Sequence, residues 1–269
     1  MIIIGEKING AIPSIKQAIA ERNEALIRER TLAQAAAGAH FLDCAPSTAT
    51  EVEYETMCWL IDLMQAATEL PLCIDSPNAK LLARILNEGR VKRCGMVNSV
   101  NEEGDKCETI FPLIAGTDWN VIGLTCDQDG IPMDPQKKID IAKRIIDKAD
   151  HFGVQLPNLH IDPCVMALAT VPTAMKDFVQ VIRGIHEYAS DVKVTGAISN
   201  ISFEMPARKY INTNCMAYAI EAGLDSAIMD PCNTDMMSAI YACEALCMKD
   251  KGGRKYNRAY RQGKIGVKK

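Results

Sequence analysis

The chain has 269 residues, of which 48% are hydrophobic and 24% are charged, and its formal net charge is −4. This composition is typical of a globular enzyme with a substantial core, and no apolar run is long enough to cross a membrane. The N-terminal stretch MIIIGEKING begins with an apolar strand and shows no secretion signal. We therefore expect a cytoplasmic protein that binds neither a membrane nor nucleic acid.

Eight short apolar runs, each ending on a polar residue, recur along the chain and predict strands. They lie at residues 2–4, 40–42, 72–74, 94–97, 121–124, 159–161, 194–198 and 226–229. Helical patterns follow them, at residues 15–37, 52–69, 78–88, 102–115, 135–152, 173–189, 208–222 and 235–247. None of the apolar runs alternates cleanly with polar residues, which is typical of parallel strands buried on both faces.

This alternation predicts an α/β protein with a single (β/α)8 TIM barrel over residues 1–248. A doubly wound sheet is the alternative, but it usually carries a GxGxxG or GxxxxGK[ST] fingerprint, and neither occurs. Residues 249–269 contain nine basic residues and one acid, a net charge of +8, whereas the other 248 residues carry −12. We predict a basic C-terminal tail there, which either is a solvated end or contacts an acidic partner.

The cysteines and histidines do not indicate a metal site or a disulfide framework. There are 11 cysteines without any CxxC pair, and the four histidines lack metal-ligand spacing. We expect reduced thiols that pack as small core residues, and no bound metal. Cys243 and Cys247 lie one helical turn apart, and a chelating pair is the alternative for these two residues.

The polar residues that end the strands predict the site. In a barrel the carboxyl ends of the strands meet at one mouth, where barrel enzymes hold their active sites. A ring of acids and amides would meet there: Asp43, Asp75, Asn98, Asp162, Asn200 and Asp230. Asp75 alone could simply cap the next helix, because Ser76 and Pro77 follow it. The whole set, however, is costly to desolvate unless a ligand rich in N–H donors satisfies it.

The same ring excludes several chemistries. No lysine ends a strand, which disfavours a Schiff-base aldolase. The strand ends also carry no set of histidines and carboxylates of the kind that binds metal in a hydrolase. A phosphosugar substrate would need a basic cluster or a glycine-rich loop after the last two strands, and a sugar would need more aromatic residues. What remains is a neutral, nitrogen-rich heterocycle, and a pterin fits that description.

Six ordered segments resemble the pterin-binding motifs of the methyltetrahydrofolate:corrinoid methyltransferases: IIIGEKING, LCIDSPN, MVNSVNEEGDK, VIGLTCDQDGIP, LHIDP and AISNISF. The sequence is most similar to the stand-alone members, and the folate domain of cobalamin-dependent methionine synthase is a more distant relative. Two segments depart from the family pattern, DCAPST at residues 43–48 and FEMP at residues 203–206. Both lie on the rim where a partner would approach.

The resemblance implies a role for each matching residue. Asp75, Asn98 and Asp162 would bind the amino-pyrimidine edge of the pterin, and Asn200 would lie beside N5. Further pocket residues are implied, with Arg208 near the benzoyl or glutamate portion of the folate: Arg208, Glu6, Asn9, Ser199 and Ser202.

The implied reaction moves a methyl group between N5 of tetrahydrofolate or 5-methyltetrahydrofolate and the cobalt of a corrinoid, by an in-line displacement. We expect Asn200 to activate N5, with Asp162 or Asp75 relaying a proton through water. No DxHxxG motif occurs, so the corrinoid would come from a separate corrinoid protein, and relatives are homodimers. Two alternatives stay open: a dihydropteroate synthase-like enzyme and a non-catalytic folate-binding subunit of a methyltransferase complex.

Overall fold

A computed structural model describes residues 1–266 as eight parallel strands alternating with helices. The strands are β1 (Ile2–Gly5), β2 (Phe41–Cys44), β3 (Leu72–Asp75), β4 (Met96–Glu102), β5 (Asn120–Asp127), β6 (Leu159–Asp162), β7 (Lys193–Val194) and β8 (Ser226–Met229). They pair in the order β7-β6-β5-β4-β3-β2-β1-β8. The Ile228 N–H donates to the Gly196 carbonyl at 3.1 Å and so joins β8 to the chain beyond β7. The predicted (β/α)8 barrel is confirmed.

Ten α-helices are present within residues 1–266, and most of them cover the outside of the barrel. They are α1 (Pro13–Ala20), α2 (Glu24–Ala37), α3 (Thr50–Ala67), α4 (Ala79–Asn87), α5 (Lys106–Ile114), α6 (Pro135–Phe152), α7 (Ala174–Tyr188), α8 (Arg208–Ala222), α9 (Thr234–Leu246) and α10 (Arg254–Arg261). Short 3-10 helices lie at Leu156–Asn158, Ile198–Ser202 and Lys251–Gly253. No helix in this described part is long and apolar enough to cross a membrane.

The single helix predicted over residues 15–37 is wrong, because two helices occupy this segment. Arg22 adopts a positive φ of 50°, which ends the regular backbone of α1. Asn23 then caps α2, since its side-chain oxygen accepts a hydrogen bond from the Leu26 N–H at 3.1 Å. The apolar spacing continues across this break, so the periodicity of apolar residues alone cannot reveal it.

Strand boundaries also differ from the prediction at the mouth of the barrel. The predicted seventh strand, residues 194–198, is wrong beyond its start, because β7 ends at Val194 and a 3-10 helix begins at Ile198. The Thr195 N–H still donates to the Ile161 carbonyl at 2.8 Å, after which Ala197 bridges to Ile228 on β8. The fourth and fifth strands instead extend past their predicted ends, because backbone pairing continues where the side chains turn polar.

Two apolar clusters form the core. A small cluster of strand residues, Ile4, Cys73, Met96 and Ile122, fills the inside of the barrel. A much larger cluster lies between the strands and the surrounding helices. This division explains why the strand sequences are apolar on both faces.

The fold shows where the cysteines and several methionines lie. Every cysteine is a free thiol, and Cys94 and Cys232 are the exposed ones. Met236, Met237 and Cys243 are buried in the main core, so core packing explains them. In contrast, Leu246 and Met248 at the end of α9 are exposed.

The predicted tail contains ordered structure in its first part. The Asp250 carboxylate accepts hydrogen bonds from the N–H groups of Lys255 at 2.9 Å and Tyr256 at 3.0 Å, which fixes the start of α10. Ala259 on α10 is buried, so the helix is packed on the domain along one side. Residues 267–269 of the predicted tail lie outside the described residues.

His160 gives the folded barrel a pH-dependent stability. This side chain is buried in β6, where its ring nitrogens contact the Ser226 hydroxyl at 2.7 Å and the Asn120 side-chain oxygen at 3.2 Å. Burial lowers the pKa of His160 to about 3. In the unfolded chain His160 binds a proton with a pKa near 6.5, whereas in the folded chain it stays neutral. Its contribution to the free energy of unfolding is therefore fully present above pH 6.5 and decreases as the pH drops. The expected loss at pH 5 is about 2 kcal/mol.

Urea unfolding of the wild type and of His160→Gln at pH 8 and pH 5 checks this expectation. The glutamine retains hydrogen-bonding groups but does not titrate, so the variant should lose about 2 kcal/mol less than the wild type. Buried acids with raised pKa values change the free energy of unfolding in the opposite direction over this pH range. They contribute equally to both proteins, so the difference between the wild type and the variant reports on His160. An equal loss in both proteins would rule out His160 as the cause.

Candidate active site

The carboxyl ends of the strands surround one open cavity of about 730 Å³. Seven of the predicted site residues line it: Glu6, Asn9, Asp75, Asn98, Asp162, Ser199 and Asn200. Asp43 from the predicted ring also lines the cavity, whereas Asp230 forms an ion pair with Lys7 at 3.4 Å. Apolar contacts come from Leu124, Ile228 and Phe203. The cavity therefore combines apolar surface with polar groups on several different strands.

Several of the lining side chains are unsatisfied by the protein, and one of them is Asp43, whose Oδ1 is buried without a hydrogen-bond partner among the described residues. Within residues 1–266, the side chains of Asp75, Asn98 and Asn200 form no hydrogen bond with another protein group, although Asn98 is only 8% exposed. Asp75 and Asn98 lie directly opposite each other in the paired strands β3 and β4. Nearly buried polar groups of this kind require a partner, and the open cavity is where a ligand would supply it.

Asp162 is held more firmly than the other acids. One of its carboxylate oxygens accepts a hydrogen bond from the Cys164 N–H at 2.7 Å. The loop that follows β6 is fixed in turn by Lys138 of α6, whose Nζ donates to the carbonyl oxygens of Pro163 at 2.7 Å and Cys164 at 2.9 Å. Lys138 is only 5% exposed, so this contact anchors the loop from inside the domain.

Burial raises the pKa values of the carboxyl groups in the cavity. It raises the pKa of Asp75 to about 7, helped by the negative charge of Glu53, and the pKa of Asp162 to about 6, opposed by the Cys164 N–H and by Lys138. Burial and the charge of Asp75 raise the pKa of Asp43 well above its usual range. Acids with pKa values near neutrality can exchange protons at physiological pH, and a ligand that donates N–H groups would favour their ionised forms.

Two predicted site residues, Arg208 and Ser202, are absent from the cavity lining. The Arg208 Nε donates to the Ser202 hydroxyl at 2.8 Å, and its Nη2 donates to the Ser199 carbonyl at 2.7 Å. The guanidinium also lies 5.0 Å from the centre of the Phe203 ring. These contacts hold the 3-10 turn in which Asn200 sits, so the pair supports the turn from outside the cavity.

The unusual DCAPST segment has a structural explanation. Cys44 and Ala45 are buried, and the Ala45 carbonyl accepts a hydrogen bond from the Gly10 N–H at 2.9 Å. The two loops approach so closely that a Cβ atom on Gly10 would lie 1.9 Å from the Pro46 carbonyl oxygen. The small residues in this segment therefore allow the loops after β1 and β2 to pack against each other.

Other residues around the cavity escaped the sequence prediction. Ser76 and Ser99 line it, and the Ser76 hydroxyl donates to the Glu53 carboxylate of α3 at 2.6 Å. Lys138 does carry a sequence signal, because it lies on the apolar stripe of its helix with Ile141, Ala142 and Ile145. No comparable signal distinguishes Glu53, since acids are common in the first turn of a helix.

The fold and the cavity define a (β/α)8-barrel protein whose mouth is lined by carboxylate and amide side chains. A family model described as "Pterin binding enzyme" matches residues 14–230. Methylcorrinoid:tetrahydrofolate methyltransferase from Eubacterium limosum is 46% identical over 268 residues, which cover 99% of this chain and 98% of that protein. Methionine synthase from Mycobacterium tuberculosis is 31% identical over 242 residues, or 85% of this chain and 20% of that protein.

Among solved structures, dihydropteroate synthase from Xanthomonas albilineans superposes with a TM-score of 0.65 at 18% identity and covers 91% of this chain and 92% of that chain. This likeness shows the barrel fold alone. The chain belongs to the pterin-binding enzymes and, within them, to the methyltetrahydrofolate:corrinoid methyltransferases. The resemblance seen in the six sequence motifs is confirmed, and the protein is a methyltransferase.

Proposed function

We propose that this enzyme transfers a methyl group between N5 of tetrahydrofolate and the cobalt of a corrinoid carried by a separate protein. The observation that supports this most directly is the convergence of Asp75, Asn98, Asp162 and Asn200 on one cavity with hydrogen-bonding groups free for a ligand. The relative from Eubacterium limosum has nearly the same length and is named for a methylcorrinoid and tetrahydrofolate. The sequence contains no DxHxxG motif for a corrinoid of its own.

The polar groups of the cavity suit the amino-pyrimidine edge of a pterin. That edge presents N–H groups beside a ring nitrogen and a carbonyl oxygen, so it needs both acceptors and a donor. Carboxylates at Asp75 and Asp162 would accept from the N–H groups, and the Asn98 amide can both donate and accept. Hydrogen bonds to charged groups contribute about 1.5–3 kcal/mol each, which is enough to fix the orientation of the ring.

We assign the step at N5 to the turn that contains Asn200. In the direction for which the relative is named, the N5 lone pair attacks the methyl group, and the carbon–cobalt bond breaks with its electron pair remaining on cobalt. N5 then releases its proton, so the step converts a methylcorrinoid and tetrahydrofolate into Co(I) corrinoid, methyltetrahydrofolate and H⁺. Asn200 would hydrogen-bond N5, and Asp162 or Asp75 would take up the proton through a bound water.

The reverse direction uses the same groups. N5 must then gain a proton or a strong hydrogen bond before it can leave, because a neutral tertiary amine is a poor leaving group. The pKa values of Asp75 near 7 and Asp162 near 6 allow both residues to release or accept a proton close to neutral pH. We propose the direction from methylcorrinoid to tetrahydrofolate as the physiological one, because the relative named for it covers almost the whole chain.

The family resemblance also supports an assembly. We propose a homodimer that works in cytoplasmic one-carbon metabolism and binds its corrinoid protein over the barrel mouth. The chain has a mass of 29.5 kDa, so sedimentation of the purified protein should give twice this value.

The function is tested by anaerobic absorbance spectroscopy with a free corrinoid as the probe. Cob(I)alamin and methyltetrahydrofolate are mixed with and without the enzyme, and methylcobalamin and tetrahydrofolate are mixed in a second experiment. Enzyme-dependent conversion in either mixture supports the proposal. Folate binding without any conversion, both with free cobalamin and with a purified corrinoid protein, would contradict it and favour the non-catalytic folate-binding subunit.

A further inference from the structure

We propose that Cys126 and Cys164 form a redox-active thiol pair at the barrel mouth, and that its oxidation to an intramolecular disulfide weakens folate binding. Cys126 lies near the end of β5, and Cys164 lies two residues beyond β6. The formation of the bond is independent of the methyl-transfer reaction. Its effect on folate rests on the proposed function.

The strand register brings the two cysteines together. Leu124 on β5 pairs with Asp162 on β6, and each cysteine follows two residues later on its own chain. Strand pairing ends at Asp162, and neighbouring strands lie about 4.8 Å apart, so the segment that carries Cys164 starts within the Cα separations of about 4.4–6.8 Å that a disulfide spans. The two thiols lie near enough to shift each other's pKa values, and the Cys164 thiol donates to the Asp162 carbonyl oxygen at 3.7 Å. Neither cysteine is fully buried, so a small oxidant can reach the pair.

The surroundings make Cys126 the reactive member of the pair. The Asn101 side-chain N–H donates to the Cys126 sulfur at 3.2 Å. The Cys164 thiol, this amide and the charge of Lys106 lower the pKa of Cys126 to about 7, against the opposing effect of burial. The neighbouring Cys126 thiol, burial and the charge of Asp162 raise the pKa of Cys164. Cys126 is therefore the nucleophile, and Cys164 is the resolving thiol.

A peroxide supplies the oxidising equivalents for this chemistry. The Cys126 thiolate attacks one peroxide oxygen, the O–O bond breaks, and the released hydroxide takes up a proton to give water and a sulfenic acid. Cys164 then loses its proton and attacks the Cys126 sulfur, which forms the S–S bond and releases a second water. Two thiols and one hydrogen peroxide thus give one disulfide and two waters, and a dithiol reductant reverses the change.

The disulfide would act on the folate site through the backbone of Cys164. Its N–H is the group that donates to the Asp162 carboxylate at 2.7 Å, and its φ of 56° shows a backbone conformation that is uncommon for this residue. An S–S bond of about 2.05 Å is much shorter than a contact between thiols, so its formation draws Cys164 toward β5. Lys138 hydrogen-bonds the Cys164 carbonyl oxygen and keeps it in place. The movement of Cys164 would therefore displace its N–H from the Asp162 carboxylate.

Loss of that hydrogen bond leaves the Asp162 carboxylate less firmly oriented and less readily ionised. The expected result is about tenfold weaker folate binding, the effect of one lost hydrogen bond to a charged group.

The test begins with the oxidation state and not with activity. The full-length protein is treated with a small excess of hydrogen peroxide, its remaining thiols are alkylated, and its peptides are mapped by mass spectrometry. A peptide pair linked through Cys126 and Cys164 is expected, and it should disappear after treatment with dithiothreitol. Cys126→Ser should be unable to form it, whereas Cys94→Ser, which removes a solitary exposed thiol, should form it normally.

The second measurement is the dissociation constant of methyltetrahydrofolate by equilibrium dialysis of reduced and oxidised protein. About tenfold weaker binding in the oxidised wild type, restored by dithiothreitol and absent in Cys126→Ser, supports the proposal. Oxidation confined to Cys94 and Cys232 would overturn it. A linked peptide accompanied by unchanged folate binding would overturn the effect on the site, and failure of methyl transfer alone would leave the linkage result unaffected.

Discussion

Replacing Asn200 with alanine should slow methyl transfer by about 30- to 900-fold, equivalent to 2–4 kcal/mol, while methyltetrahydrofolate binding stays within about threefold. The Asn200 amide lies in the 3-10 turn after β7 and lines the cavity. A hydrogen bond that strengthens as charge develops on N5 stabilises the transition state more than the bound substrate. Its loss therefore appears in the rate constant of the chemical step, which anaerobic stopped-flow absorbance measures in a single turnover.

Asn214→Ala provides the matched control for this experiment. Asn214 is an exposed residue on the neighbouring helix α8, and its side-chain N–H donates to the Tyr210 carbonyl at 2.8 Å. The control removes the same amide from the same region without touching the cavity, so rate and binding should both stay at wild-type values. Equal losses of rate and affinity in Asn200→Ala would contradict the assignment and make Asn200 a binding residue.

The second large effect should follow Asp75→Asn, which we expect to weaken folate binding by about 10- to 150-fold. The Asp75 carboxylate has no hydrogen-bond partner within residues 1–266, so it offers acceptors to ligand N–H groups. Asparagine replaces one acceptor oxygen with an NH₂ group, which opposes the ligand donors. Isothermal titration calorimetry at pH 8 measures the change in affinity, and a value within threefold of the wild type would contradict the assignment.

The pH dependence of binding gives the same experiment an independent readout. The pKa of Asp75 is raised to about 7, so the empty protein holds this group protonated at lower pH. Wild-type affinity should therefore fall as the pH drops from 8 to 6, by about tenfold at pH 6, because binding must then displace a proton. The variant should lack this step and retain the decrease below pH 6 that comes from Asp162. Asp129→Asn, an exposed acid outside the cavity, should keep the wild-type profile.

The sequence predicts the barrel and much of the cavity for a definite physical reason. Strands buried on both faces leave an unmistakable apolar run, and the polar residue that interrupts each run marks the end facing the mouth. Asp75, Asn98 and Asp162 all follow this rule. The rule depends only on residues that are adjacent in the chain, so one sequence suffices to apply it.

The parts of the site that could not be predicted depend on contacts between distant segments. Lys138 lies 24 residues before Asp162 and reaches the loop after β6 only because α6 packs beside that strand. Arg208 was expected near the ligand, but its hydrogen bonds are to Ser199 and Ser202, which no spacing rule reveals. The break at Asn23 is local, but the spacing of apolar residues persists on both sides of it and does not reveal it.

The short seventh strand has a consequence for how the barrel deforms. The barrel wall is held by regular ladders almost everywhere, but between β7 and β8 it depends on a few separate hydrogen bonds, such as those from Asp225 to Val194 and from Ile228 to Gly196. Local opening requires least free energy where the fewest bonds must break together. This seam is therefore where the wall can widen and narrow, and it borders the turn that carries Asn200. Under the proposed function, a large planar cofactor brought by another protein would meet an easily opened edge beside Asn200 and a continuously paired wall on the side of β3, β4 and β5.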